Sequence, residues 1–350
     1  MDVSAMTKKE LAELIVVNAA APDPALMAEA AAVRDKSYGR RVFVRGLIEF
    51  TNRCRNNCLY CGIRAANGNV RRYRLTKDEI MECVKEGRAL GFSTFVLQGG
   101  EDMYYTDDVL SDIVYSIKEL APDCAVTLSV GERTRESYKR LRDAGADRYL
   151  LRHETASEPH YKKLHPDDMS FKNRIRCLYD LKELGYQVGA GFMVGSPYQT
   201  YEDLASDLLF LKELDPHMVG IGPFISQADT PFFDMKNGTL ELTLTMLSLV
   251  RLMLPKTLLP ATTALGTIDS RGREKGFDAG ANVVMPNLSP RERRKDYSLY
   301  DNKLATGAES AEKIDELRAL IENAGYMMDM GRGDSLVNID RKDKKYEYKQ

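Results

Sequence analysis

The 350-residue sequence has no long apolar run, no excess of charge of one sign and no low-complexity segment. No stretch reaches the roughly 18–20 apolar residues that span a bilayer, and the N-terminus lacks the basic-then-apolar layout of a signal peptide. The 50 basic and 52 acidic residues are mixed along the chain, and the net charge of -2 indicates neither nucleic acid nor a membrane surface as a partner. We therefore expect a soluble, cytoplasmic protein.

Cysteine is scarce and unevenly distributed. Three of the six cysteines fall close together, at positions 54, 58 and 61. The other three are scattered, and we interpret them as small buried hydrophobic residues: Cys83, Cys124 and Cys177. Small secreted domains held by disulfides are much shorter and richer in cysteine. The clustered trio therefore indicates a metal site in a reducing compartment.

Eight short apolar segments are expected to form strands. They span residues 42–50, 93–98, 125–130, 147–152, 187–194, 218–224, 258–263 and 281–285. Continuous apolar runs of this length are typical of strands that are buried on both faces. Helical segments stand between them, and a capping box at Thr76 and Glu79 opens one of these helices. The alternation predicts an α/β fold, a (β/α)8 TIM-type barrel, with an open doubly wound sheet as the alternative.

Segments on either side of the barrel are expected to pack against it. Residues 1–40 are rich in Ala, Leu and Glu and are predicted to form an N-terminal helical extension. Residues 41–288 then form the barrel. Residues 289–350 are a charged C-terminal extension with one clear helix at 311–324.

The cysteine trio has the sequence Cys54-x3-Cys58-x2-Cys61 and follows directly on the first predicted strand. Loops in that position lie at the C-terminal end of a barrel, where barrel enzymes place their chemistry. Three thiolates can bind three irons of a [4Fe–4S] cluster, which normally takes four thiolates. The fourth iron would be open to a small chelating ligand such as an amino acid. Structural zinc is the alternative, but it normally needs four ligands, and no fourth Cys or His is near.

The spacing of the trio, with the aromatic Tyr60 before the last cysteine, resembles the signature of the radical S-adenosylmethionine (SAM) superfamily. Gly99-Gly100-Glu101, at the end of the second predicted strand, resembles that superfamily's Gly-Gly-Glu element. The resemblance implies that SAM chelates the open iron through its amino and carboxylate groups. It further implies reductive cleavage of SAM to a 5′-deoxyadenosyl radical.

Further stretches between about residues 40 and 290 are similar to the HydE family of [FeFe]-hydrogenase maturases, with biotin synthase and methylornithine synthase as relatives. These stretches are residues 96–105, 148–155, 189–195, 219–224 and 260–267. The resemblance implies maturation of the hydrogenase H-cluster, with a cysteine-bound Fe(CO)2CN unit as substrate. It also implies the maturases HydG and HydF and a reductant protein as partners. Because no cysteine follows Cys177, the chain cannot build the auxiliary C-terminal cluster of some members.

The resemblance assigns SAM contacts to Arg152, Glu154 and Arg174, with Gln98 and Ser129 near the same cavity. Two guanidinium groups and a carboxylate suit a zwitterionic amino acid and ribose hydroxyls. The remaining expected cofactor contacts are Tyr60, Gly99, Gly100, Glu101 and, on the adenine side, Met193.

Candidate substrate contacts are the cationic and hydroxyl side chains expected at other strand ends. Arg148, Thr262 and Thr263 could bind an anionic or amino-acid-like substrate. Tyr297 or Tyr300, from the C-terminal extension, could close the floor of that pocket.

His153 stands between Arg152 and Glu154, and strand alternation points it to the opposite face. We therefore expect it to be structural, and we assign no role to the other three histidines. Two alternatives to the maturase stay open at this stage. One is a radical SAM amino-acid mutase of the methylornithine synthase kind, and the other is a non-catalytic Fe–S scaffold that does not bind SAM.

Overall fold

A computed structural model describes residues 2–337 of the chain. The strands in this range are short and fall in the order expected. They are β1 (Arg41–Val44), β2 (Gly46–Thr51), β3 (Thr94–Gly99), β4 (Ala125–Ser129), β5 (Arg148–Leu150), β6 (Gln187–Ala190), β7 (Met193–Val194), β8 (Met218–Val219), β9 (Gly222–Pro223), β10 (Val283–Val284) and β11 (Met327–Asp329).

The strands pair in parallel around a closed ring. Six of them follow the order β2-β3-β4-β5-β6-β8, and every neighbouring pair is parallel. Single parallel bridges continue the ring from β8 back to β2: Met218 with Leu258, Pro260 with Val283, and Asn287 with Leu47. The segments around Leu258 and Val283 thus complete eight staves. The predicted TIM-type barrel is confirmed, and the open doubly wound sheet is excluded.

Helices cover the outside of the barrel between successive strands. They are α1 (Lys8–Asn18), α2 (Pro24–Tyr38), α3 (Lys77–Ala89), α4 (Asp107–Leu120), α5 (Arg135–Asp143), α6 (Glu158–Leu164), α7 (Phe171–Glu183), α8 (Tyr201–Leu214), α9 (Leu240–Met253), α10 (Thr263–Ile268), α11 (Gly272–Asp278), α12 (Arg291–Arg294) and α13 (Ile314–Asn323). The predicted capping box is present, because the Thr76 hydroxyl accepts the Glu79 N–H at 3.2 Å and Glu79 accepts the Thr76 N–H at 2.7 Å. None of the helices in residues 2–337 is long and apolar enough to cross a membrane.

Two predicted strand limits were wrong. The expected strand at 42–50 is divided at Arg45, because β1 pairs with β10 and β11 while β2 pairs with β3. The expected strand at 258–263 ends early, since Thr262 is already the N-cap of α10. The short helices α6, α10 and α12 were not predicted, because each is too short to show a helical period.

The N-terminal helices pack on the barrel as predicted, with α1 against α8 and α2 against α9. The buried guanidinium of Arg34 fixes α2 by donating to the carbonyl oxygens of Phe277 at 2.6 Å and Ala281 at 3.3 Å. Residues 289–337 continue along the barrel, and the remainder of the predicted C-terminal extension, 338–350, lies outside the described residues. The boundaries at 41 and 288 stay a prediction.

Candidate active site

A cavity of about 360 Å³ opens among the carboxyl ends of the barrel strands. Most of the residues predicted from the sequence as site residues line it. They are Cys54, Tyr60, Cys61, Gln98, Gly99, Gly100, Glu101, Ser129, Arg152, Glu154, Arg174, Met193, Thr262, Thr263 and Tyr297. Two predicted residues, Cys58 and Arg148, are not part of the cavity wall.

The three cysteines lie on the long loop between β2 and α3. The Cys54 sulfur accepts the Glu101 backbone N–H at 3.3 Å, and the Cys58 sulfur lies 3.8 Å from the Met169 sulfur. Burial raises the pKa of the Cys54 and Cys58 thiols and raises that of Cys61 to about 12. The thiols are therefore neutral at physiological pH unless a metal displaces their protons. Within residues 2–337 no three Cys, His, Asp or Glu side chains converge as ligands of a single metal ion.

The Gly-Gly-Glu element packs directly against this loop. A Cβ atom on Gly100 would lie 2.2 Å from the Arg53 carbonyl oxygen and 2.8 Å from the Cys54 Cβ, so the approach requires glycine. The Glu101 carboxylate accepts from Arg55 Nε at 2.9 Å and from Asn56 Nδ2 at 2.8 Å. Glu101 therefore braces the cysteine loop.

The segment after β5 supplies polar atoms that no other protein group satisfies. Glu154 has a φ of 66°, which is rare outside glycine, and its N–H donates to the Gly191 carbonyl oxygen at 3.0 Å. Its carboxylate lies 3.1 Å from the Arg152 guanidinium, but the angles are not those of a hydrogen bond. Arg152 Nε, Arg152 Nη2 and Glu154 Oε2 are buried without a hydrogen-bond partner. Such groups fit a polar ligand carrying both charges, as the amino-acid part of SAM does.

Arg174, on α7, supports the same segment from behind. Its Nη1 donates to the Arg152 carbonyl oxygen at 2.8 Å, and its Nε pairs with Glu132. Asn173 donates to Glu132 as well. Glu132 was not predicted from the sequence, since its position near Arg174 depends on how α7 packs.

Tyr60 is held at the cavity wall by a histidine outside it. The His165 Nδ1 lies 3.0 Å from the Tyr161 carbonyl oxygen, and its Nε2 lies 3.2 Å from the Tyr60 hydroxyl. Burial lowers the pKa of His165 to about 3, so the ring is neutral. Nδ1 then donates to the carbonyl, and Nε2 accepts from Tyr60.

The opposite end of the cavity is lined by hydroxyl groups and one ion pair. Thr262 Oγ1 is buried without a hydrogen-bond partner, while Thr263 donates to Glu309 Oε2 at 2.8 Å. Lys303 pairs with the buried carboxylate of Glu49 at the cavity wall. Neither was predicted, although a carboxylate within the apolar stretch 42–50 was a signal for Glu49.

Arg148 lies at the other end of the barrel, which corrects the expectation that it projects beside Thr262. It is the first residue of β5, and the first residues of parallel barrel strands lie at the N-terminal face. Its guanidinium donates to Asp334 at 2.7 Å and to the Arg332 carbonyl oxygen at 2.8 Å. Arg148 therefore holds the C-terminal segment and does not contact this cavity.

His153 is absent from the cavity wall, in keeping with the structural role expected for it. It is fully buried, with its Nε2 3.2 Å from Asp207 Oδ1, and its Nδ1 accepts the Gly191 N–H at 3.3 Å. Burial lowers its pKa to about 3, so Nε2 carries the proton and donates to Asp207.

Known proteins share both the sequence and the fold of this chain. A model of the Radical SAM superfamily matches residues 48–211. The [FeFe] hydrogenase maturase subunit HydE of Thermotoga maritima is 50% identical over 319 residues, which are 91% of this chain and 91% of that protein. The chain belongs to the HydE family of radical SAM enzymes. The family implies a [4Fe–4S] cluster and SAM as cofactors.

More distant relatives of this HydE-family chain catalyse other reactions. A 3-methylornithine synthase of Methanosarcina barkeri is 32% identical and covers 85% of this chain and 84% of its own. The crystal structure of methylornithine synthase superposes with a TM-score of 0.81 at 28% identity, covering 93% of this chain and 96% of that one. A crystal structure of the maturase HydG, at 19% identity and a TM-score of 0.76, covers 94% and 78% and shows a common fold.

Proposed function

We propose that this HydE-family enzyme acts in [FeFe]-hydrogenase H-cluster maturation, with a [4Fe–4S] cluster held by Cys54, Cys58 and Cys61. The observation that supports this most directly is one cavity that contains two of the thiols, the Gly-Gly-Glu element and the unsatisfied atoms of Arg152 and Glu154. A non-catalytic scaffold would have no use for those buried polar atoms, which are costly to leave unpaired.

The residues of the chain would bind and orient SAM. Arg152 and Glu154 would meet its carboxylate, amino group or ribose hydroxyls with charge-assisted hydrogen bonds. Gln98 and Ser129 would line the same region, and Met193 would lie on the adenine side. When bound, the cluster would supply the electron that cleaves SAM to a 5′-deoxyadenosyl radical.

The substrate we propose is a cysteine-bound Fe(CO)2CN unit, taken from HydG, with the product passed to HydF. The support is the family relationship, together with a chamber beyond the SAM region that offers a free hydroxyl at Thr262 and an ammonium at Lys303. The barrel walls would exclude water and oxygen from a radical reaction. A reductant protein would supply the electron.

Methylornithine synthase chemistry is the second candidate, because a protein of that name matches 93% of this chain with a TM-score of 0.81. A mutase would bind a free amino acid in the chamber that we assign to the iron complex. The two candidates differ in the compound that stimulates SAM cleavage.

The test is anaerobic reconstitution with iron and sulfide, followed by dithionite and SAM. The product 5′-deoxyadenosine is quantified alone, with a cysteine-derived iron–carbonyl complex, and with lysine. Cys58→Ala should abolish cleavage, whereas Cys83→Ala, in α3 outside the cavity, should preserve it. Stimulation or adenosylation of the iron complex supports the maturase, and stimulation by lysine alone supports the mutase. Absence of cleavage under all three conditions contradicts the assignment to radical SAM chemistry.

A further inference from the structure

One arginine outside the cavity wall ties together the two ends of the cysteine loop. The Arg72 guanidinium donates to four backbone carbonyl oxygens at once. They belong to Ile63 at 2.8 Å, Asn67 at 3.0 Å, and, at shorter distances, Asn52 and Arg64. Asn52 precedes the first cysteine by two residues, and Ile63 follows the last by two. The contacts therefore join the chain that enters the motif to the chain that leaves it.

The loop has little else to hold its path. Between Thr51 and Arg74, which form a single antiparallel bridge, the described chain contains no helix or strand. Asn52 adds to the same connection, since its Oδ1 accepts the Tyr73 N–H at 2.8 Å. Only arginine can serve four carbonyls in this way, because its planar fork carries five donors and an ammonium group has three on a single atom.

Arg72 also places a positive charge beside the metal-binding thiols. It interacts electrostatically with Cys54 and with Cys61, and it is half-buried, where screening by water is reduced. A nearby positive charge favours the more negative form of a redox centre. It therefore raises the potential at which a cluster accepts an electron.

We propose that Arg72 is a positioning residue that holds the three cysteines at the spacing a [4Fe–4S] cluster needs and whose charge raises the reduction potential of that cluster. This inference rests on the proposed cluster site, and it assigns two separable tasks to one side chain. The hydrogen bonds give the loop its path, and the charge sets the potential. Substitutions that keep one task and remove the other can distinguish them.

The test compares Arg72→Gln, Arg72→Lys and the full-length wild-type chain after anaerobic reconstitution. Arg53→Gln is the matched control, because it removes an exposed positive charge from the same loop without touching the carbonyl contacts. Iron and sulfide content, the rate of iron release to a chelator, and the midpoint potential from a dithionite titration followed by electron paramagnetic resonance are measured. Thermal unfolding of each apoprotein reports any general loss of folding.

We expect both Arg72 variants to release iron faster, by roughly 10- to 100-fold, because supporting groups around metal sites commonly contribute that much to affinity. Arg72→Gln should also shift the potential to more negative values. Arg72→Lys should keep a potential close to that of the wild type, and Arg53→Gln should match the wild type in iron release.

Three outcomes would overturn the inference. Iron release from both Arg72 variants at the wild-type rate would remove the positioning role. Equal potentials in Arg72→Gln and the wild type would remove the electrostatic role. Equal loss of apoprotein stability and iron would reduce Arg72 to a folding residue. A wild-type chain that takes up no cluster would instead contradict the proposed function.

Discussion

Arg152 and Glu154 lie 3.1 Å apart across the mouth of the cavity, yet each keeps a buried polar atom without a hydrogen-bond partner. Buried polar atoms that lack partners are rare in folded proteins because each is costly. The left-handed backbone at Glu154 adds to that cost. The arrangement is reasonable if a ligand completes it. The pair is therefore the best place to measure SAM binding.

Glu154→Gln should weaken SAM binding by roughly tenfold, since a lost charge-assisted hydrogen bond corresponds to about 1.5 kcal/mol. Arg152→Gln should have a similar effect, and the double variant should lose less than the sum because the two groups share one ligand. Equilibrium binding of SAM to reconstituted protein measures the dissociation constants. Glu158→Gln, on exposed α6, is the control. Unchanged affinity in Glu154→Gln would remove this residue from the SAM site.

Local patterns in the sequence predicted the eight staves and the loop position of the three cysteines. Apolar runs report burial, and the loop after a barrel strand has only one face to occupy. The same reasoning applied to Arg148 would have avoided the error, because a residue at the start of a parallel strand lies at the N-terminal face. The contacts of Glu132, Lys303 and Arg72 could not be predicted. Each depends on segments that are distant in sequence or on the path of an irregular loop.

Gly100→Ala should prevent the Gly-Gly-Glu element from packing on the cysteine loop. The added methyl group would lie 2.2 Å from the Arg53 carbonyl oxygen, so the backbone must move. We expect iron content after reconstitution to fall by at least half, with apoprotein stability lower by about 1–3 kcal/mol. Gly68→Ala, where nothing lies within 4 Å of the added atom, is the control and should bind iron normally. Full iron content in Gly100→Ala would show that the close approach is dispensable.

Acid should destabilise the protein before any carboxylate titrates. All four histidines are buried, and burial lowers their pKa from 6.5, to about 3 for His153 and His165 and to about 4 for His217, with His160 also lowered. Below pH 6.5 the unfolded chain binds protons that the folded chain does not, so stability falls as the pH decreases. At pH 5 each histidine shifted to about 3 should cost about 2 kcal/mol.

Urea unfolding of the apoprotein at pH 7 and pH 5 measures this loss. His217→Asn should be less stable at pH 7 but should lose less between the two pH values, because one titrating group is gone. His217 is suited to this test because it lies outside the cavity and accepts the Val188 N–H at 3.1 Å, a contact that an amide oxygen can replace. Identical pH dependence in the variant and the wild type would indicate that His217 stays accessible to protons in the folded state.

The Lys303–Glu49 pair should stabilise the cavity wall only as a pair. The Glu49 carboxylate is fully buried and also accepts from Asn287 Nδ2 at 2.7 Å, while the Lys303 side chain is 12% exposed. Lys303→Met leaves that charge without its counter-ion and should lower the free energy of unfolding by about 3 kcal/mol. Adding Glu49→Gln removes the stranded charge, so the double variant should recover most of the loss. Denaturant unfolding of the two single variants and the double variant gives the coupling energy. A double variant no more stable than Lys303→Met would mean that Lys303 acts through its packing on the Tyr297 ring, 4.9 Å away, rather than through charge.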